Sequence, residues 1–398
     1  MKPAEARAQF PALASGPVEL DNAATTHKPR SVLDAVRRHD EQACANVHRA
    51  AHARARAATQ AYEEARARVA RFLAAEPREV VFTQNATAGI NLVARGWAEP
   101  RLTPGDRVLV TALEHHGNLV PWQQVCRRTG AELVVLPCDA RGRLPLPREL
   151  PPRTRLVAAT RVSNALGTLV DTQELVENAQ RAGAAVLLDL AQAAGHLPLD
   201  GGSHDADFVV FSAHKLYGPT GLGVLRGKAA RLAEMEPVTF GGEMVSSVRP
   251  EGAEWQLPPL RFEAGTPPIA QAAGLAAALD FIDGIGLPNI REHELLLLER
   301  LLAGLARVEG VRVVGPPTAA ERSGAVSLVI PGGDVQVAAT VLDLAGVSVR
   351  AGWHCAQPLL ERHLGCGPTL RASVAVYTDA ADIERFLDVL PEALASCR

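Results

Sequence analysis

The chain has 398 residues, 47% of them hydrophobic and 21% charged, with a formal net charge of −3. That length suggests two or three domains, and that composition provides for large cores, which excludes a disordered chain. The near-balanced charge supplies no field for nucleic acid or an anionic membrane, and no apolar run approaches the ~20 residues of a bilayer span, so neither partner is expected.

The segment Met1 to Phe10 lacks the apolar core of a secretory signal, so a cytoplasmic location is expected. Next comes the basic stretch from Arg49 to Arg71, which alternates with Ala and carries Glu63 and Glu64; it reads as a solvated helix face. Short apolar runs then alternate with helical stretches. Candidate strands are Val80–Thr83, Val108–Thr111, Leu133–Pro137, Leu156–Thr160, Val186–Asp189, Phe208–Phe211 and Gly223–Leu225. Helices are predicted over Gly89–Gly96, Val120–Thr129, Thr172–Ala182 and Ala191–Ala194. The alternation implies a largely parallel sheet with covered faces. From 240 to 265 the rhythm fails, and Gly241, Gly242, Pro250, Gly252, Pro258 and Pro259 predict a long loop of the kind that usually serves function.

Ala270–Ile282 reads as a small-residue connecting helix. A second, shorter α/β pattern follows, with helices over Leu287–Arg307, Val335–Leu344 and Asp382–Ala395. Its strands are Val311–Val314, Val326–Ile330, Val347–Arg350 and Thr369–Val374. The expected architecture is α/β, with a large, mostly parallel seven-stranded domain over 18–270. Residues 1–17 and 271–398 supply an N-terminal segment and a small C-terminal α/β domain. Six cysteines are scattered along the chain without a Cys-x-x-Cys, as expected of free thiols rather than a disulfide framework.

In a parallel α/β sheet, ligands sit outside the carboxyl ends of the strands, so the residues that follow each run carry the chemistry. After Val80–Thr83 a helix opens at Asn85-Ala86-Thr87; its free N–H groups and the Thr87 hydroxyl suit a phosphate, though Thr87 also fits an ordinary N-cap. After Val108–Thr111 comes Glu114-His115-His116-Gly117, where a flat imidazole could stack on an aromatic cofactor. Asn164 follows the next strand and offers an amide. Asp189 ends an apolar strand, where a carboxylate is costly unless paired. A protonated pyridine nitrogen is one such partner, and a helix N-cap is the structural alternative. The run Phe208–Phe211 then delivers Ser212, His214 and Lys215, an amine suited to a phosphorylated aldehyde. Together these groups fit one ligand, pyridoxal 5'-phosphate (PLP).

With these residues in view, the chain resembles the class V aminotransferase family of PLP enzymes, and more closely SUF-type (group II) cysteine desulfurases and selenocysteine lyases. The resemblance runs nearly end to end. It includes Leu20-Asp21-Asn22-Ala23-Ala24-Thr25, Val47-His48-Arg49, Glu114-His115-His116, Val162-Ser163-Asn164 and Phe211-Ser212-Ala213-His214-Lys215. It continues through Phe262-Glu263-Ala264-Gly265-Thr266-Pro267, the run Arg350 to Pro358 containing His354-Cys355-Ala356-Gln357-Pro358, and Arg371-Ala372-Ser373. The last two runs separate desulfurases from the wider class. The resemblance implies fold type I, the PLP-dependent transferase fold. It also implies that Lys215 carries the cofactor, Asp189 holds the ring nitrogen, His115 stacks on the ring and Gln192 contacts the ring oxygen. Thr87, Ser212 and His214 would hold the phosphate. Thr266 would reach the site of a second subunit, which implies a homodimer with shared active sites.

For the substrate, L-cysteine or L-selenocysteine, the resemblance assigns Arg371, Arg350 and Asn164 to the carboxylate, with Asn22 and Ala23 nearby. It makes Cys355 the nucleophile that receives sulfur for a SUF-type acceptor protein and for iron-sulfur cluster assembly or other sulfur trafficking. Ala88, Leu190, Trp353 and Pro268 depart from the family pattern. Two other readings keep the same cup: selenocysteine lyase and cysteine sulfinate desulfinase, the second of which needs no thiol nucleophile. An unrelated alternative is a zinc-binding module, because His354, Cys355, His363 and Cys366 are local, irregularly spaced zinc-compatible ligands.

Overall fold

The computed structural model describes residues 1–14, 16–49 and 51–397. The apolar runs become strands because their β-branched and aliphatic side chains bury on both faces. They are Val80–Thr83 (β1), Arg107–Thr111 (β2), Glu132–Leu136 (β3), Thr154–Thr160 (β4), Ala185–Asp189 (β5), Phe208–Ser212 (β6) and Gly223–Gly227 (β7). They form one seven-stranded sheet in the order β1-β7-β6-β5-β4-β2-β3. Only β7 runs against its neighbours, β1 and β6. The other pairings are parallel. Six carboxyl ends therefore face the same way. β5 and β6 are buried at every position, whereas the edge strand β3 leaves Val135 40% exposed.

Arg30–Arg38 (α1) packs on a long helix at Ile269–Ile285, which with Ala53–Phe72 (α2) and Thr172–Arg181 covers one face of the sheet. The other face carries Ala86–Val93 and Val120–Thr129, with Trp97 and Trp122 in its core. In chain order the remaining longer helices are α3 (Ala86–Val93), α4 (Val120–Thr129), α5 (Thr172–Arg181), α6 (Ile269–Ile285), α7 (Leu287–Leu305), α8 (Val335–Leu344) and α9 (Ala380–Ser396). No single helix among the described residues is long and apolar enough to cross a membrane.

The expected long loop instead contains a hairpin, Val245–Arg249 (β8) with Gly252–Trp255 (β9). The smaller domain is a four-stranded antiparallel sheet of Arg312–Val314 (β10), Ala325–Val329 (β11), Arg350–Gly352 (β12) and Thr369–Ser373 (β13), in the order β10-β11-β13-β12. The predicted strand Val347–Arg350 divides: Val347 and Ser348 pair with Val18 and Glu19, and Arg350 begins β12. Ala191–Ala194 forms turns rather than a helix.

A boundary at residue 270 cuts α6, whose Ala272, Leu275, Leu279 and Ile282 lie in the large core. We draw it instead at Gly286, where φ is +90° and α6 gives way to α7. The N-terminal segment also divides: Phe10 packs edge-on against Tyr217 and Tyr377 in the large core, while Leu20 belongs to the small one.

The basic stretch is not simply a solvated face. Arg66 on α2 is 1% exposed and forks onto Glu263, with Nη1 2.7 Å from Oε1 and Nη2 3.0 Å from Oε2. Glu263 also accepts from Phe82 N at 2.7 Å and Tyr62 Oη at 3.0 Å. The pair ties α2 and β1 to the segment leading to Thr266. Alternation with Ala and the Glu63-Glu64 pair suggested a solvated face; the long-range carboxylate that allows Arg66 inside was not visible locally. Glu263→Ala would leave buried Arg66 with only Glu63, at 2.9 Å from Nε and itself 42% exposed, as an ion-pair partner, and should destabilise the fold by about 3 kcal/mol in urea unfolding; an unchanged midpoint would contradict this account.

Candidate active site

The carboxyl ends of β1, β2, β4, β5 and β6 open into a cavity of about 250 Å³, closed on its far side by β12, β13 and the Cys355 loop. At β6 the chain leaves Ser212 and enters a single tight turn, Ala213–Lys215. Ser212 Oγ accepts from Ala86 N at 2.9 Å, which ties the end of β6 to the start of α3. The cap of α3 is Asn85, whose Oδ1 accepts from Ala88 N at 2.9 Å. Thr87 is therefore not the cap, and its exposed hydroxyl is uncommitted among the described residues. Gly223 lets β7 pass close by, since a Cβ there would meet Asn85 Cα at 2.4 Å. His214 Nδ1 lies 3.2 Å from Thr25 Oγ1.

Lys215 faces Asp189 across this space. Burial lowers the amine below its ordinary value, against the opposing pull of Asp189. Burial likewise raises the Asp189 carboxyl, which accepts from Ala191 N at 2.9 Å. His115 Nδ1 accepts from Gly117 N at 2.9 Å, so a neutral ring carries its proton on Nε2. Burial, with the nearby Lys215 charge, pushes His115 down to about 4. Gln192 is held by Ala23 O at 2.7 Å.

The small domain contributes Arg371, 1% exposed, whose Nη1 donates to Asn164 O at 2.8 Å and whose Nη2 donates to Asp21 Oδ1 at 3.1 Å. Asp21 also meets Arg350 Nε at 3.2 Å. Arg371 Nε and Asn164 Oδ1, on two residues that line the cavity, are buried without a partner among the described residues. Cys355 is exposed to the cavity, and His354 beside it is held by Thr369 Oγ1 at 2.8 Å.

Twelve of the residues singled out above thus line one cavity: Lys215, Cys355, His115, Asp189, Gln192, Thr87, Ser212, His214, Asn164, Arg371, Arg350 and Ala23. Two do not. Asn22 is consumed structurally: its Nδ2 donates to Glu19 O and Ser373 O, and its Oδ1 accepts from Tyr377 Oη. Thr266 is exposed in a separate hollow of about 470 Å³ bounded by Tyr62, Leu92, Val238 and Phe262.

The proposed zinc ligands do not converge, and no group of three or more His, Cys, Asp or Glu side chains could hold a metal among the described residues. His354 is engaged by Thr369, and Cys366 is buried in an apolar cluster with Leu113 and Leu359. Sequence reading missed the roles of Asp21 and Glu114. Glu114 is 2% exposed and accepts from Thr111 Oγ1 and Asn118 Nδ2, each at 2.6 Å, and from Thr160 N at 2.9 Å. It braces the ends of β2 and β4 behind the cavity; its place in the Glu114-His115-His116 run was the available signal.

The residues present fit PLP. A buried carboxyl lacks a charged partner of its own beyond the lysine, a helix start and two hydroxyls form an anion cup, and unpaired Arg371 Nε and Asn164 Oδ1 await a polar ligand. A parallel sheet presenting this set at its carboxyl edge, with a small domain closing over it, defines a PLP-dependent enzyme of fold type I.

Comparison with known proteins agrees. Residues 18–386 match the aminotransferase class-V family model, and the chain belongs to that family. It is 44% identical to a probable cysteine desulfurase of Pseudomonas putida, with 100% of each chain covered. It is 46% identical to probable cysteine desulfurase 1 of Mycobacterium leprae over 93% of this chain, and spans only 61% of that relative's length. The crystal structure of the cysteine desulfurase CsdA from Escherichia coli superposes with a TM-score of 0.92 at 39% identity, covering 100% of both chains.

Burial holds His354 at about 3, well below the ordinary histidine value of 6.5. The unfolded chain therefore takes up a proton that the folded one refuses. This contribution to stability is complete above pH 6.5 and is lost as pH falls from there toward 3. His354→Gln should reduce the stability lost between pH 7 and pH 5 by about 2 kcal/mol in urea unfolding of the cofactor-free protein; an identical pH dependence in the variant would contradict the neutral, buried histidine.

Proposed function

We propose that this chain is a cysteine desulfurase, converting L-cysteine to L-alanine and taking the sulfur onto Cys355 as a persulfide. The observation that carries the reading is that a thiol from the small domain and an amine from the end of β6 line the same cavity, with an unpaired buried Arg371 Nε beside them. Asp189 would hold the pyridine nitrogen, Ser212, Thr87, His214 and the start of α3 the phosphate, and Lys215 the aldehyde carbon. Bound there, PLP would draw electron density from Cα of the amino acid and weaken its Cβ–S bond.

The chain's own groups do the rest. Arg371 offers Nε to the substrate carboxylate, whereas Asn164, whose Nδ2 donates to His354 O, leaves its Oδ1 for an N–H or O–H of the bound ligand rather than for the carboxylate. Asp21 keeps Arg371 and Arg350 in place and offsets part of their mutual repulsion. The lowered proton affinity of Lys215 makes its amine available to take the Cα proton and return it. The Cys355 thiolate attacks the substrate sulfur: the Sγ–S bond forms, the Cβ–S bond breaks with its electron pair, and a proton completes the methyl group of alanine. One thiol and one cysteine become one persulfide and one alanine, with no outside oxidant.

Cys355 favours this reading over cysteine sulfinate desulfinase, which needs no thiol, and leaves L-selenocysteine as a second substrate. The exposed Thr266 hollow supports a homodimer in which Thr266 of one copy completes the phosphate cup of the other. Delivery to a SUF-type acceptor protein for iron-sulfur cluster assembly follows from the family resemblance.

Brief exposure of the holoenzyme to L-cysteine should add one sulfur to the peptide containing Cys355, read by mass spectrometry. Cys355→Ser should abolish it and Lys215→Ala should remove the visible cofactor absorbance fixed by borohydride. Sulfur on Cys126 or Cys138 instead would refute the assignment. For the dimer, activity per chain should fall when dilution produces monomers in sedimentation, and constant activity through that transition would remove Thr266 from the site.

A further inference from the structure

His115 and His116 are adjacent but serve different partners. His115 lines the cavity, whereas His116 turns toward the Cys355 loop. That loop has two successive left-handed residues, His354 at φ +50° and Cys355 at φ +54°. Residues with a Cβ hold this conformation only when their surroundings impose it. Ala356 N closes the turn onto Trp353 O at 2.8 Å, and three hydrogen bonds from outside the turn hold it in place. Asn164 Nδ2 donates to His354 O at 2.5 Å, His116 N donates to Cys355 O at 2.7 Å, and Gln357 N donates to His116 Nε2 at 3.2 Å. The third brackets Cys355 from its carboxyl side. It requires a ring nitrogen free to accept, so the neutral ring carries its proton on Nδ1.

We propose that His116 is a positioning residue for sulfur transfer, its imidazole accepting from Gln357 N–H to hold the Cys355 loop in its left-handed turn against the cavity. The role rests on Cys355 being the sulfur acceptor. His116 exchanges no proton with the reacting atoms; it fixes where the thiol stands. Attack on a substrate sulfur depends on such placement, since a reacting atom held out of line loses most of the advantage of proximity. His115 and His116 leave the end of β2 together, so the segment that orients one ring also sets the anchor for the nucleophile loop. The residue pattern offered the two histidines as one stacking signal and the resemblance assigned it to His115; a part for His116 became visible only once the chain brought residue 357 to residue 116.

The test compares His116→Gln, whose side-chain oxygen can accept in place of Nε2, with His116→Leu, which cannot. In the cofactor-free protein, peptide-level hydrogen exchange over residues 353–360 should quicken in His116→Leu and return toward wild type in His116→Gln. In the holoenzyme, His116→Leu should lower kcat for L-cysteine roughly three- to ten-fold, the scale of one lost hydrogen bond. KM should stay within about two-fold, as expected when placement for reaction rather than substrate binding is lost. The cofactor absorbance should be unchanged, and His116→Gln should recover most of kcat. Persulfide on wild-type Cys355 with unaltered loop exchange in His116→Leu would overturn the role of His116 alone, as would a His116→Gln enzyme as slow as His116→Leu. A wild type that places no sulfur on Cys355 would overturn the desulfurase reading and the transfer role together.

Discussion

The common direction of six strands is the constraint on which the rest depends. Helical crossovers return the chain to the same starting edge, so each strand leaves its last residue at the opposite edge. Thr111, Thr160, Asp189 and Ser212 are four such ends. A carboxylate, a phosphate-sized cup, an imidazole and an amine are thereby gathered from over 100 residues of sequence without any of them needing a local partner. The antiparallel β7 does not disturb this, because its own start lies at that same edge, where Gly223 makes room for Asn85.

The rest of the cavity comes from elsewhere. The small domain brings Arg371 and Arg350 on neighbouring strands, and the N-terminal segment brings Asp21, which bridges to the same sheet at Ser373. Two buried or half-buried guanidinium groups side by side repel each other. Asp21 bonds both, and burial still holds Arg371 down to about 10. The remaining unpaired Nε is the part of that arrangement left to a ligand. A desolvated donor without a partner is a cost in the empty protein, and it becomes specificity when a carboxylate arrives.

The strands of the large sheet were legible to within a residue or two because fully buried strands are short, apolar and bounded by turn residues. The predicted site was legible for the same reason: polar residues that end an apolar run stand out. What failed was what local pattern does not encode. The stretch from Arg49 to Arg71 has the composition of a solvated helix, yet Arg66 is buried because Glu263 reaches it. The hairpin within 240–265 was masked by glycine and proline. Asn22 carries a family signature, but Tyr377, Ser373 and Glu19 use up its amide.

By itself the sequence determined the α/β rhythm, the strand ends and the chemistry attached to them, because periodicity and chain breaks are properties of neighbours. The tertiary structure alone decided which distant groups share a site: Asp21 with Arg371, Glu263 with Arg66, and His116 with Gln357. Those pairings link residues roughly 200 to 350 positions apart, a separation at which hydrophobic period carries no information. An unpaired buried charge or a strained turn is costly, and folding meets that cost with whichever partner the chain brings within reach.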